Sequence, residues 1–272
     1  MAETLEQIVV VGKGGMGKSM IASNLSVVFA RQGERVLHVG CDPKHDSTRP
    51  LLPRKRIPTV ADMIVRGLPF SDVLRVGIQG IRCIEAGGPA PGSGCAGRGI
   101  TKMLELLQEF QVVRDHSVIM FDILGDVVCG GFAAPLRKGF GRKVIIVTSD
   151  EWMSLWAANN VARMVVEYAG NGVRLAGLVV NSRAGQTCNA DRVRRFASEI
   201  KTTILEILPW DPRVEKAETA RKPIVLFSAD APVTSLLLSL AAKIRKIDPK
   251  RCPMPRPMSD EQFDRFQETC RK

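Results

Sequence analysis

The chain has 272 residues, 45% of them hydrophobic and 25% charged, a size and balance suited to one large domain with a sizeable core. No apolar run approaches the ~20 residues of a membrane span, and the acidic N-terminus MAETLEQ carries no signal-peptide pattern, which points to a cytoplasmic protein. A net charge of +11 asks for an acidic partner (nucleic acid, membrane surface or protein), while seven cysteines in so large a chain argue against a disulfide scaffold and for metal binding or burial.

The first element is the apolar run Ile8–Val11, which ends in the glycine-rich stretch GKGGMGKS and leads into a helix expected over Met20–Arg31. Gly12, four residues, then Gly17, Lys18 and Ser19 match the P-loop template. Glycines let successive backbone N–H groups turn around phosphate oxygens, and the helix N-terminus adds its positive dipole end. Lys18 is spaced to reach the β- and γ-phosphates and the Ser19 hydroxyl to ligate Mg²⁺, with Gly14, Gly15, Met16 and Met20 completing the cradle. A second lysine, Lys13, makes this the deviant form KGGxGK of the Walker A motif. That form resembles the ATPases that include partition and cell-division-site proteins, arsenite pumps and the nitrogenase iron protein. The resemblance implies a sandwich dimer in which Lys13 reaches the partner's nucleotide.

A second strand, Arg35–Gly40, runs into Cys41–Arg49, CDPKHDSTR. Acidic groups at such a strand end lie near Mg²⁺ and the attacking water in an α/β ATPase. Asp42 is the candidate to activate or orient that water, and Asp46 to sense the Mg²⁺ shell through Lys44 and Ser47; an Asp-Pro turn followed by a helix cap is the plainer reading of Asp46 or Ser47. Residues 51–69 read as an exposed basic loop with a short helix at Val60–Arg66. A strand at Ile81–Ala86 enters Gly87–Gly99, where six glycines and two prolines surround Cys95, and a helix follows from about Ile100 to Phe110.

The strand Ser117–Phe121 closes on Asp122, where a Walker-B-type carboxylate meets Mg²⁺ through water. A strand cap is the plainer alternative there. Asp126 and Cys129 follow within DILGDVVCGG. Further strands are expected at Lys143–Thr148, Leu175–Asn181 and Ile204–Leu208, and helices at Trp152–Tyr168, near Asp191–Lys201, near Val233–Ile247 and at Asp260–Thr269. Trp152 and Trp156, one helical turn apart, read as packing residues. Pro209–Arg213 reads as a loop and Pro249–Pro257 as extended chain. The alternation gives an α/β fold: a mostly parallel sheet with helices on both faces, a P-loop NTPase of residues 1–248 with a basic, proline-rich extension at 249–272.

Cys95 and Cys129 both sit on glycine-rich loops leaving strand C-terminal ends, the edge where this architecture binds ligands. A 4Fe–4S cluster takes four thiolates, two loops offer two, and a twofold dimer doubles them. Cys41, Cys83, Cys188, Cys252 and Cys270 have no comparable setting.

Together GKGGMGKS, GCDPKHDSTR, EAGGPAPGSGCAGRG, DILGDVVCGGFAAP and AANN resemble the nitrogenase iron protein and its relatives: the L-type protochlorophyllide and chlorophyllide reductases, the coenzyme F430 reductase and the methylthio-alkane reductases. The resemblance implies that Cys95 and Cys129 ligate one 4Fe–4S cluster shared across a homodimer. It gives Asp42 to water activation, Lys44 and Asp46 to switch I, and Asp122 and Asp126 to the switch II path from MgATP to the cluster. Asn181, Pro209 and Asp211 fall to the adenine or ribose, and Arg98 faces a nitrogenase-like catalytic partner. A low-potential donor such as ferredoxin or flavodoxin supplies electrons. Nucleotide state then moves the two switch segments and gates docking and one-electron delivery.

Met16 and Met20 stand where iron proteins commonly carry Ile and Thr, His45 where they carry Ala, and the charge is basic where theirs is typically acidic. Docking is partly electrostatic, so these departures point away from dinitrogen and, with Asn181-Ser-Arg, toward methylthio-alkane reduction. The rival classes are a partition- or positioning-type ATPase on DNA or membrane, which leaves the two glycine-flanked cysteines without a role, and a cluster-assembly scaffold, which would place cysteines as CxxC.

Overall fold

The computed structural model describes residues 5–44, 46–52, 57–88, 97–125, 133–183 and 188–270. The first half runs β1 (Glu6–Val11), α1 (Lys18–Arg31), β2 (Val36–Gly40), α2 (Val60–Arg66), α3 (Phe70–Val73), β3 (Arg75–Val76), β4 (Arg82–Glu85), α4 (Gly97–Glu109) and β5 (Val118–Asp122). The second half runs α5 (Ala134–Arg137), β6 (Lys143–Thr148), α6 (Trp152–Glu167), β7 (Arg174–Asn181), α7 (Ala190–Glu199), β8 (Ile204–Leu208), α8 (Pro212–Thr219), α9 (Ile224–Phe227), α10 (Pro232–Lys246) and α11 (Asp260–Thr269).

The strands form one sheet in the order β3-β4-β2-β5-β1-β6-β7-β8, parallel throughout except for the two-residue β3, which is antiparallel to β4. Parallel strands covered on both faces need apolar side chains on both. Accordingly β1 buries Ile8 and Val10 against α1 and α10, and Val9 and Val11 against the α4 and α6 side. β5 and β6 divide the same way. The expected α/β architecture is the one observed.

Boundaries differ from the sequence reading where local chemistry acts. Helix α1 begins at Lys18, two residues earlier than expected, because Gly17 caps it in the left-handed region at φ 82°. The expected loop at Pro209–Arg213 instead ends in α8: Asp211 accepts the Arg213 backbone N–H at 2.9 Å as N-cap and Pro212 takes the first helical position.

The C-terminal segment folds back onto α6. Asn159 Nδ2 donates to the Met258 carbonyl at 2.9 Å, and the Met258 N–H donates to Asn159 Oδ1 at 2.8 Å. Ser259 and Gln262 then cap α11 reciprocally, and Phe263 and Phe266 pack edge-on against Trp152 and Trp156. The paired tryptophans are packing residues, as expected.

The buried polar side chains on the strands include His38 in the middle of β2 and Glu85 at the end of β4. Glu85 Oε1 accepts the Thr48 backbone N–H at 2.7 Å, and Oε2 has no hydrogen-bond partner among the described residues. A Cβ on the neighbouring Gly40 would stand 1.9 Å from Oε2, so glycine there makes room for the carboxyl. Burial pushes the Glu85 pKa up to about 8. The folded protein therefore holds Glu85 protonated at neutral pH, a contribution complete below the unfolded value of about 4.3 and lost as pH rises through about 8. Chemical melts of the wild type and Glu85→Gln at pH 5 and pH 8.5 should diverge by a few kcal/mol, the wild type losing stability relative to the variant. Parallel curves would show that Glu85 is ionised in the fold.

Candidate functional site

The site lies along the C-terminal edge of the central strands. Gly12 follows β1 at φ 153°, and a Cβ there would fall 2.0 Å from the Val147 carbonyl oxygen. Gly15 and Gly17 sit at φ 77° and 82°, a backbone region that favours glycine. The loop is fixed from outside by Asn181 at the end of β7, whose Nδ2 donates to the Met16 carbonyl at 2.9 Å. Met16 itself is buried, its sulfur accepting the Ser154 hydroxyl at 3.1 Å. Lys18 is only 7% exposed, and its ammonium donates to the Lys13 carbonyl at 3.1 Å across the loop. Lys13 and Gly14 are half-buried, and Met20 is half-buried on the first turn of α1.

Asp122 closes β5 opposite Val10 on one side and Gly40 on the other. Its carboxylate accepts hydrogen bonds from the hydroxyls of Ser19 and Ser47, the latter at 2.6 Å. Burial raises its pKa, and those two hydroxyls and the Lys18 charge act against the rise. The P-loop serine and the serine of the 41–49 segment thus meet on one buried carboxylate, which fits a Mg²⁺ site assembled from Ser19 and Asp122. The same residue's carbonyl accepts the Cys41 N–H at 2.9 Å. Between these ties, Asp42 is half-exposed, its Oδ1 accepting the Lys44 N–H at 2.8 Å. Lys44 and Asp46 are exposed. Asp46 lines a cavity of about 470 Å³ with Ser19, Asn24, Arg49 and Glu218, so it borders the serine without touching Asp122 in any described hydrogen bond.

Behind Ser47 stands His38. Its Nε2 is 2.8 Å from Ser47 Oγ and its Nδ1 2.9 Å from Ser26 Oγ on α1. Complete burial pushes its pKa down to about 3, so the ring is neutral, with one N–H and one acceptor nitrogen. His38, Glu85 and the Ser47 contact were not singled out as site features in the sequence. Their signal was a polar residue in the middle of the apolar run of β2 and another at the end of β4.

A second cavity, about 230 Å³, opens beside the P-loop between Gly15, Met16, Gly17, Asn181, Trp210 and Glu218. Trp210 is 48% exposed at its rim. Its neighbours Pro209, exposed, and Asp211, buried, flank it, with Asp211 held by the Arg213 guanidinium at 2.8 Å. That pairing keeps the Asp211 carboxyl below the usual range. Of the three residues expected at the base or ribose, Asn181 lines this cavity beside the P-loop, whereas Pro209 and Asp211 do not; the residue between them, Trp210, does.

Cys95, Asp126 and Cys129 lie outside the described residues. The segments that carry them leave β4 and β5, which flank β2 in the sheet, from the same C-terminal edge. Arg98 is exposed at the start of α4. Four of the other cysteines are poor thiolate donors: burial pushes Cys41, Cys83, Cys188 and Cys252 up, away from the ionised form a cluster ligand needs.

Comparison with known proteins follows the same lines. The family described as 4Fe-4S iron sulfur cluster binding proteins, NifH/frxC family, matches residues 6–271. The nitrogenase iron protein of Methanospirillum hungatei is 41% identical over 269 residues, covering 96% of this chain and 95% of its own. Among solved structures, the septum site-determining protein MinD complexed with Mg-ADP from Pyrococcus horikoshii aligns with TM-score 0.70 at 20% identity, covering 89% of this chain and 97% of that one. The cell division ATPase MinD of Pyrococcus furiosus aligns with TM-score 0.69 at 19% identity, covering 89% and 100%. These two share the P-loop NTPase fold. By its sequence the chain belongs to the NifH/frxC family of 4Fe–4S iron–sulphur cluster binding proteins.

Proposed function

We propose that this chain is the ATP-hydrolysing, electron-delivering component of a nitrogenase-like reductase, working as a homodimer. The observation that supports the reading is that the P-loop, Asp122 and the C-terminal ends of β4 and β5, after which Cys95 and Cys129 follow in sequence, lie on one edge of the sheet, around adjacent strands β4, β2, β5 and β1. Cys95 and Cys129 of each subunit would hold the cluster, and Gly12–Met20 with Asp122 would hold MgATP. When bound, the cluster supplies one-electron redox chemistry and MgATP a cleavable phosphoanhydride.

The chain's own residues have separable roles. Lys18 neutralises phosphate charge once its ammonium leaves the Lys13 carbonyl. Lys13 reaches toward the partner's nucleotide. Ser19 and Asp122 order the metal shell, and Asp42 orients water. Asn181, Pro209 and Asp211 set the base, while Lys44, Asp46 and Asp126 belong to the segments that respond to it. Ferredoxin or flavodoxin recharges the dimer, which then docks on a nitrogenase-like catalytic protein. The charge of +11 suits an acidic docking face and, with the departures at Met16, Met20 and His45, argues against dinitrogen, while the Asn181-Ser-Arg triplet favours a methylthio-alkane as substrate.

Anaerobic purification should give a brown dimer with about four irons, the count of one cubane. Cys95→Ala and Cys129→Ala should each abolish iron and visible absorption while MgADP binding stays within about twofold of wild type; full iron retention would overturn the ligand assignment. A colourless protein that co-purifies with DNA would instead favour a positioning ATPase. Asp122→Asn should lower ATP turnover at least tenfold, with nucleotide affinity much less affected, as isothermal titration and phosphate release would show. Unchanged turnover would remove Asp122 from the metal shell.

A further inference from the structure

The segment between Cys41 and Ser47 has both ends tied to one residue. The Cys41 N–H donates to the Asp122 carbonyl at 2.9 Å, and the Ser47 hydroxyl donates to Asp122 Oδ2 at 2.6 Å. The first tie is a backbone bond between residues that continue paired strands, and it needs no support. The second depends on one hydroxyl, which can rotate and can donate to only one acceptor at a time.

What fixes that hydroxyl is His38. The ring sits at the centre of β2, its backbone in register with Cys83 of β4 and Met120 of β5, so its position is set by the sheet. Ser47 spends its proton on Asp122 and can only accept from the ring, so Nε2 carries the hydrogen. Nδ1 is then the acceptor, and Ser26 Oγ donates to it. Three hydrogen bonds therefore run in one direction, from Ser26 on α1 through His38 and Ser47 to Asp122, and the neutral state of the buried ring keeps that direction. Thr48, the next residue, donates its N–H to Glu85 Oε1 at 2.7 Å, so the sheet holds the chain at two consecutive positions.

We propose that His38 is a positioning residue that makes Ser47 the fixed far end of the Asp42–Asp46 segment and aims its hydroxyl proton at Asp122. Nucleotide-driven movement is then confined to the residues between two anchors on the same aspartate. This rests on the reading that Asp42, Lys44 and Asp46 answer to nucleotide; the anchoring itself does not. An apolar residue at position 38 leaves Ser47 without its donor and free to rotate off Asp122. Glutamine, with a donor N–H and an acceptor oxygen, can bridge the same two hydroxyls.

The test compares His38→Leu, His38→Gln and the wild type by amide hydrogen exchange of residues 46–49 without nucleotide, and by steady-state ATP hydrolysis. His38→Leu should exchange about tenfold faster there, a factor matching one lost buried hydrogen bond, with the P-loop helix unchanged. Its kcat should fall about tenfold with KM for ATP held within twofold, and His38→Gln should recover most of both losses. Wild-type exchange in His38→Leu, or a His38→Gln no better than His38→Leu, overturns the proposal. If His38→Leu does not fold, Ser47→Ala breaks the same bridge from the other side, and unchanged protection of residues 46–49 in that variant overturns it equally. A wild-type protein that binds no nucleotide would sink the reductase reading, while the exchange comparison would still decide the role of His38.

Discussion

The structure turns on a carboxylate kept out of water at the end of the central strand. An isolated buried carboxylate is costly, and it is tolerated where hydroxyl donors and a nearby cation balance it. Asp122 has these from three places: Ser19 on the P-loop helix, Ser47 after β2, and the charge of Lys18. Removing any of them leaves the others facing a less satisfied charge. The P-loop and the 41–49 segment are therefore coupled through one side chain before any nucleotide arrives. The geometry that would order a metal ion is built from contacts the protein already makes with itself.

Much of this was legible in the sequence because it rests on short-range chemistry. Buried Val/Ile runs announced the parallel strands, and the spacing of Gly12, Gly17, Lys18 and Ser19 announced the phosphate loop. The misjudged boundaries share a cause. Helix α1 starts early because a glycine caps it without a side chain, and α8 was hidden because an Asp-Pro pair reads as a turn as readily as a cap. His38 and Glu85 were invisible for a different reason. A polar residue within an apolar strand has meaning only once its cross-strand neighbours are known: Gly40 beside Glu85, and Ser26 and Ser47 around His38.

Fold and chemistry separate cleanly in this chain. The MinD structures share its architecture at a fifth of the residues or less, whereas the Methanospirillum iron protein shares 41% across almost the whole length. What the MinD structures have in common with this chain is the P-loop NTPase fold. Strands β4 and β5, after which the sequence carries Cys95 and Cys129, end on the same edge of the sheet as β1, which leads into the P-loop.

The clasp between Asn159 and Met258 has a practical side. Because α11 lays two phenylalanines over Trp152 and Trp156, the last stretch of chain is a lid on an aromatic floor rather than a dispensable tail. Trimming it would bare a sticky, ring-lined patch and invite clumping, so shortened versions of this protein should begin their cuts beyond Thr269.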